Sequence, residues 1–370
     1  MTASAFENGS ICSLENEFAS SFSNETLHLI LLPTEHCNFR CAYCYEDFSI
    51  GRMTLEVRQG VKRLIDRRLD KLGRLSISWF GGEPLLATDI VEDISAHIVD
   101  TISRSPGVDY SGDMTTNGYL LEPPLATKLV NLGIRCFQIS LDGPEGFHDS
   151  TRVRAGGRSS FRQIWRNLVA IRDRHLDIKI LLRIHLTPDN VDVMPEFVAE
   201  IRDTFLNDRR FMVLFKAIEQ MGGPNNDAIS ALSLADRTRI IPALHEIISD
   251  SSQSQPIYQG GDICYAARAN SLMIRADGRV GKCTVALSDS ANTIGQLLYD
   301  GTLRLDNSRL HQWLRGWENG DRAMLGCPHQ YISADGHKAS AEIEAAMNDV
   351  RGLTVASQEV VPIQATDIRL

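Results

Sequence analysis

The stretch PTEHCNFRCAYCYEDF, Pro33 to Phe48, sets Cys37, Cys41 and Cys44 within eight residues, directly after the apolar run LHLILL. The whole chain has only eight cysteines in 370 residues, so three in one loop call for a reason beyond composition. Cysteines separated by three and then two residues, in a loop leaving a strand, can turn three thiolates toward one point. A cubane iron–sulfur cluster held by three protein thiolates keeps one iron free for a small-molecule ligand. Two other readings stay open: a zinc site completed by His36, and reduced thiols with no metal.

Bulk properties bound the rest. Hydrophobic residues make up 43% of the chain, ample for a core at this length. The net charge of −9 argues against non-specific nucleic-acid binding. No apolar run approaches the roughly 20 residues that cross a bilayer, and no basic and apolar start marks the chain for secretion. A cytoplasmic location follows, where thiols stay reduced and closely spaced cysteines hold metal or do chemistry rather than pair.

Outward from the cysteines, short apolar runs alternate with amphipathic ones. LHLILLPT, LSISWF, DMTTNG, RCFQISL, IKILLRIHLT and RRFMVLFKAI read as strands. Between them TLEVRQGVKRLIDRRLDKL, DIVEDISAHIVDTI, PPLATKLVNLG, SFRQIWRNLVAIRDRH and DVMPEFVAEIRDTF read as helices. This alternation is the pattern of a parallel sheet with right-handed crossovers, in an α/β fold. The strands carry a second signal of period two. Ser76 and Ser78, Thr115 and Asn117, Gln138, Ser140 and Asp142, and Arg183 and His185 share faces opposite apolar neighbours. A closed barrel fills its lumen with branched apolar side chains, so this polar face is expected to hold a polar ligand.

With those residues in place, the chain resembles the radical S-adenosylmethionine superfamily. The resemblance rests on CxxxCxxC with Tyr43 before its third cysteine, on FGGEP after the second strand and on SLDGP after the fourth. It covers about residues 27–220 and implies a partial (β/α)6 TIM-like barrel with a four-iron, four-sulfur cluster on Cys37, Cys41 and Cys44. The amino and carboxylate groups of S-adenosylmethionine would chelate the fourth iron, and one electron from a flavodoxin- or ferredoxin-type donor would release a 5'-deoxyadenosyl radical that abstracts a substrate hydrogen. Gly81 and Gly82 are expected to clear backbone for the ligand and Glu83 to receive its ammonium. Tyr43, Thr115, Asn117 and Arg183 are expected near the cofactor. Ser140 and Arg152 are expected at its carboxylate, where an arginine fork suits a clamp. Asp142 is the candidate base, with a capping or turn role as the alternative, and His185 is a ligand contact or a buried structural group.

The remaining cysteines divide. Cys12 and Cys136 read as ordinary thiols. Cys264, thirteen residues, Gly278, four residues and Cys283, with ADGR between two strand-like runs, resemble the start of a SPASM or Twitch auxiliary module, and Cys327 would be its third ligand. The longer SPASM cysteine series is absent. One auxiliary iron–sulfur cluster, of the four-iron type, is therefore expected, with an open iron or a fourth ligand such as His329 or Asp262; a zinc site is the alternative. The expected organisation is a polar arm at 1–26, the barrel at 27–220, a linker and bridging helix at 221–260, the auxiliary module at 261–335, and a C-terminal helix and tail at 336–370.

The resemblance extends to enzymes that modify ribosomally made peptides, since SLDGP and HDSTR are found in such members. It implies a maturase that installs an oxidative side-chain crosslink of cyclophane, ether or thioether type in a precursor peptide. With only 26 polar residues ahead of the barrel, leader recognition would fall to another surface or a separate leader-binding protein. A Twitch-type enzyme acting on a small molecule and a non-catalytic iron–sulfur or electron-transfer protein are the alternatives.

Overall fold

The computed structural model describes residues 14–223, 225–249 and 263–332. In chain order the helices and strands begin with α1 (Leu14–Phe22), β1 (Thr26–Leu31), β2 (Phe39–Cys41), α2 (Leu55–Arg68), β3 (Arg74–Trp79), α3 (Thr88–Ser103), β4 (Asp109–Thr116) and α4 (Pro123–Asn131). There follow β5 (Ile134–Leu141), α5 (Glu145–Thr151), β6 (Arg152–Arg154), α6 (Phe161–Arg172), β7 (Lys179–Leu186), α7 (Met194–Phe205), β8 (Phe211–Ala217) and α8 (Leu234–Ser249). The described part ends with β9 (Ser271–Ile274), β10 (Arg279–Gly281), β11 (Gly295–Leu297), β12 (Leu303–Leu305), α9 (Asn307–Leu314) and α10 (Arg322–Gly326).

Strands β1, β3, β4, β5, β7 and β8 pair in that order and all in parallel, as the alternating pattern predicts. Period two explains how they bury themselves. Leu29, Ile77, Phe137, Ile139, Leu182 and Ile184 are almost wholly buried with the helices in the main core, while the alternate positions face the other way. The helices obey their own period: in α3, Ile90, Val91, Ile94 and Ile98 fall on one stripe and are buried. Local signals set their ends. The Thr54 side chain accepts from Val57 N to start α2, and the Asp306 side chain accepts from Ser308 N and Arg309 N to start α9.

Three features depart from the expected organisation. Residues 14–22, expected within a poorly ordered arm, form α1, because Phe18 and Phe22 pack edge-on against Trp317 with ring centroids 5.6 and 6.0 Å apart. The segment expected as a separate auxiliary module instead extends the barrel sheet. There β9 pairs in parallel with β1, and β10, β11 and β12 follow antiparallel, giving a single ten-stranded sheet. Gly278, at φ +84, makes the predicted hairpin turn between β9 and β10. Finally, β2 and β6 form a small antiparallel ribbon over the barrel mouth that no sequence period announced. The C-terminal helix and tail expected at 336–370, together with Cys12 and Asp262, lie outside the described residues.

The extended sheet depends on close packing of α2 against the β11–β12 turn. A Cβ on Gly60 would lie 2.6 Å from Leu298 O and 3.1 Å from Leu297 Cγ. Gly60→Ala should therefore lower Tm by a few degrees. Its helix-propensity gain of about 0.8 kcal/mol is outweighed by an overpacking cost of about 1–3 kcal/mol. A raised Tm would mean that the helix shifts freely away from the turn.

Candidate functional site

The loop from Pro33 to Phe48 crosses the C-terminal end of the parallel sheet, and two sets of contacts seat it. Beneath it runs the Gly81–Glu83 segment. A Cβ on Gly81 would lie 2.3 Å from Thr34 O, and one on Gly82 2.4 Å from His36 O. The glycines thus clear space for the cysteine loop itself, where ligand approach had been expected of them. Glu83 is wholly buried. Its Oε1 accepts from Leu85 N at 3.0 Å and Thr116 Oγ1 at 2.7 Å, and its Oε2 from Asn117 N at 2.7 Å. Burial raises its carboxyl against those three donors. It thereby ties the Gly81–Leu85 segment to the end of β4. Asn117 is similarly engaged, its Nδ2 donating to Asn38 Oδ1 at 2.7 Å beside Cys37. Thr115, on the opposite face of β4 from Thr116, meets only Gln138 Nε2, at 3.4 Å.

At the far end of the loop the β2–β6 ribbon sets Cys41 opposite Arg152. Tyr43 Oη accepts from Arg152 Nη1 at 2.7 Å and donates to Asp142 Oδ1 at 2.9 Å. His185 Nδ1 donates to the same carboxylate oxygen at 3.0 Å, and Thr151 Oγ1 donates to Oδ2 at 2.7 Å. Burial alone would raise Asp142, but the His185 hydrogen bond and the nearby positive charges hold it well below the usual carboxylate range. Burial keeps His185 down near 4, so we place the negative charge on Asp142 and leave the imidazole neutral. A carboxylate so stabilised and so fully hydrogen-bonded is a weak proton acceptor, and here it holds Tyr43, Thr151 and His185. Arg152 in turn serves Tyr43, though its Nε has no hydrogen-bond partner among the described residues.

Below this layer lie the polar strand positions. Ser140 sits beside Arg183 in register across β5 and β7. Arg183 is half-buried in the lumen, burial lowers its pKa, and its Nε has no hydrogen-bond partner among the described residues. Gln138 Oε1 is likewise buried and unmatched. Farther down, His28 bridges Ser271 Oγ at 2.8 Å and Ser78 Oγ at 2.9 Å, and Ser78 donates to Asp113 Oδ2 at 2.7 Å.

The thiols form two groups. Burial, then the charge of Glu83, pushes Cys37 far up; burial raises Cys41; and burial pushes Cys44 up to about 12. Cys264 and Cys283 are also raised by burial, and Cys264 N donates to Leu325 O at 2.9 Å, two residues before Cys327. Phe39 N donates to Cys37 Sγ at 3.3 Å and Val285 N to Cys283 Sγ at 3.4 Å. Amides directed at sulfur are the donors that tune thiolate-bound iron, so the residues of both groups fit iron–sulfur ligation. Among the described residues no three His, Cys, Asp or Glu side chains are set to hold a metal ion between them. His36 is exposed, and His329 turns its Nε2 to Asp289 at 2.8 Å while its ring stacks on Trp313. Among the described residues no helix is long and apolar enough to cross a membrane.

Residues 31–201 match the family described as the radical SAM superfamily. The GTP 3',8-cyclase of Microcystis aeruginosa is 30% identical over 308 residues, which span 76% of this chain and 86% of that protein. The GTP 3',8-cyclase of Nostoc punctiforme is 31% identical over 151 residues, which span 40% of this chain and only 44% of that protein. Among solved structures, anSMEcpe with bound AdoMet superimposes with a TM-score of 0.62 at 18% identity, covering 79% of each chain. SuiB of Streptococcus suis, bound to the precursor peptide SuiA, gives 0.54 at 14% identity, covering 75% of this chain and 64% of that one. At such identities these two show the fold.

The lumen floor carries a pH signature. Burial holds the folded-state pKa of His28 down to about 3, below the 6.5 of a free imidazole. The folded protein therefore refuses a proton that the unfolded chain accepts. His28 costs nothing above pH 6.5 and removes stability as pH falls from there toward 3. At one pH unit below the free value the loss is about 1.4 kcal/mol. Urea unfolding of wild type and His28→Gln at neutral and mildly acid pH should show the variant with the flatter pH dependence; parallel slopes would contradict it.

Proposed function

The chain belongs to the radical S-adenosylmethionine superfamily, and from that premise we propose that it is an oxidative peptide maturase, joining two side chains of a precursor peptide. The family implies S-adenosylmethionine and a four-iron, four-sulfur cluster as cofactors; we assign the cluster to Cys37, Cys41 and Cys44, and an auxiliary iron–sulfur centre to Cys264, Cys283 and Cys327. When bound, these groups supply the electron that cleaves S-adenosylmethionine to methionine and a hydrogen-abstracting 5'-deoxyadenosyl radical, and an acceptor for an electron leaving the substrate.

The residues of the chain supply binding and orientation. The Tyr43–Asp142–Arg152 network and the Gly81–Glu83 segment hold the cysteine loop over the lumen. Ser140 and Arg183 offer the lumen hydrogen-bond donors suited to a carboxylate, a reading supported by the unpartnered Arg183 Nε. The observation that carries an oxidative outcome is the pairing of β9 with β1. It brings the β9–β10 hairpin, which runs on to Cys283, beside the strand that leads into the Cys37 loop. Joining two side chains removes two hydrogens from the peptide: one goes to 5'-deoxyadenosine, and the other leaves as a proton and an electron that needs an acceptor. A flavodoxin- or ferredoxin-type protein would supply the initiating electron, and a separate protein the leader recognition. The SLDGP and HDSTR segments support a peptide as substrate, as do neighbours of the same fold solved with peptides.

A second reading is a small-molecule substrate. It is favoured by the relation to the Microcystis GTP 3',8-cyclase, which spans 86% of that protein.

The test is anaerobic reconstitution with S-adenosylmethionine, reductant and the short peptide encoded beside the gene. The expected products are 5'-deoxyadenosine and a peptide lighter by two hydrogens. Cys41→Ala should abolish both products, whereas Cys283→Ala should keep nucleoside formation and lose the crosslinked peptide. Nucleoside release with every such peptide unchanged in mass and by sequencing, and turnover of a nucleotide instead, would decide for the second reading.

A further inference from the structure

The β1–β9 ladder ends where the chain needs it most. Leu32 N still donates to Ile274 O at 3.0 Å, but beyond that point the two backbones part, one toward Cys37 and the other into the hairpin toward Cys283. The next residue on the β9 side is Arg275, and its side chain continues the connection. Its Nε donates to Glu35 Oε1 at 3.0 Å and its Nη2 to Glu35 Oε2 at 2.5 Å, a two-point fork, while Nη1 donates to Leu287 O at 2.7 Å. Arg275 and Glu35 are 6% and 2% exposed, so solvent does not compete for this pair. Glu35 stands two residues before Cys37, and Leu287 four residues after Cys283. An apolar patch closes over the same joint, where Leu287 and Met273 pack with Tyr45 of the cysteine loop.

We propose that Arg275 is a positioning residue that locks the Cys37–Cys44 loop to the Cys283 turn, so that the two thiol groups are set as one unit. A buried charge with one partner removed is strongly unfavourable, and a planar fork fixes both distance and angle in a way a point charge cannot. Disturbing either end should therefore be felt at the other. The consequence for a two-centre enzyme rests on the ligand assignments above, but the coupling itself belongs to the protein and is measurable without metal.

The experiment is iodoacetamide alkylation of the metal-free full chain, followed by mass spectrometry of each cysteine, with Cys136 as the internal reference. Arg275→Met should speed alkylation of Cys37, Cys41 and Cys44 by about tenfold. Glu35→Gln should in turn speed that of Cys283, with Cys264 unchanged because its backbone is tied to Leu325 O at 2.9 Å. Arg275→Lys, which keeps the charge and loses the fork, serves if the methionine variant does not accumulate, and should give a smaller effect in the same direction. If each substitution changes only the thiols on its own side of the joint, or none, the coupling is refuted, whatever the fate of the functional reading.

Discussion

The loop that carries Cys37, Cys41 and Cys44 has only the three-residue β2–β6 ladder to hold it, so most of its backbone has to be fixed by packing and side chains around it. That constraint organises the mouth of this barrel. Gly81 and Gly82 lie so close under Thr34 and His36 that no Cβ fits between them, and Glu83 spends its whole carboxylate on the strand ends that carry them. On the far side Tyr43 is tied to Arg152 and Asp142, and on the near side Glu35 is tied to Arg275. Arg152 is buried beside Asp142 and Arg275 against Glu35, so charge pairs as well as apolar contacts fix the loop. Preorganisation of this kind lets a metal centre bind without paying to order its ligands.

Several charged groups of the lumen are partnered in the same way. Asp142 is occupied by three donors and Asp113 by Ser78, and Lys216 is paired with Glu219 at 2.6 Å. Arg183 stands apart, with an unmatched Nε facing Ser140 across the ladder. A half-buried guanidinium without a full hydrogen-bond complement is costly in an empty protein and useful in a liganded one.

Much of this was legible in the sequence, and the limits are physical. The six parallel strands and their helices announce themselves because periods of 2 and 3.6 persist over enough residues. The β2–β6 ribbon is three residues a side, too short to show any period, and α1 is helical because Phe18 and Phe22 find Trp317 three hundred residues away. Cysteine spacing is what drew the eye to both thiol groups, since ligand chemistry constrains spacing directly. The contacts that Gly82, Glu83 and Asp142 make with the cysteine loop and its neighbours were not legible, because sequence shows what a side chain can do and not which neighbour it meets. Arg275 and Glu35 carry no motif; only the register of β9 against β1 brings them together.

The central claim is that the Pro33–Phe48 loop alone builds the site at which S-adenosylmethionine meets iron. Its most direct test is electron paramagnetic resonance of the reduced, reconstituted chain in which Cys264, Cys283 and Cys327 are all replaced by alanine, before and after adding S-adenosylmethionine. The account predicts one four-iron signal whose shape changes when S-adenosylmethionine is added. A signal indifferent to S-adenosylmethionine, or none until the C-terminal cysteines are restored, would contradict it.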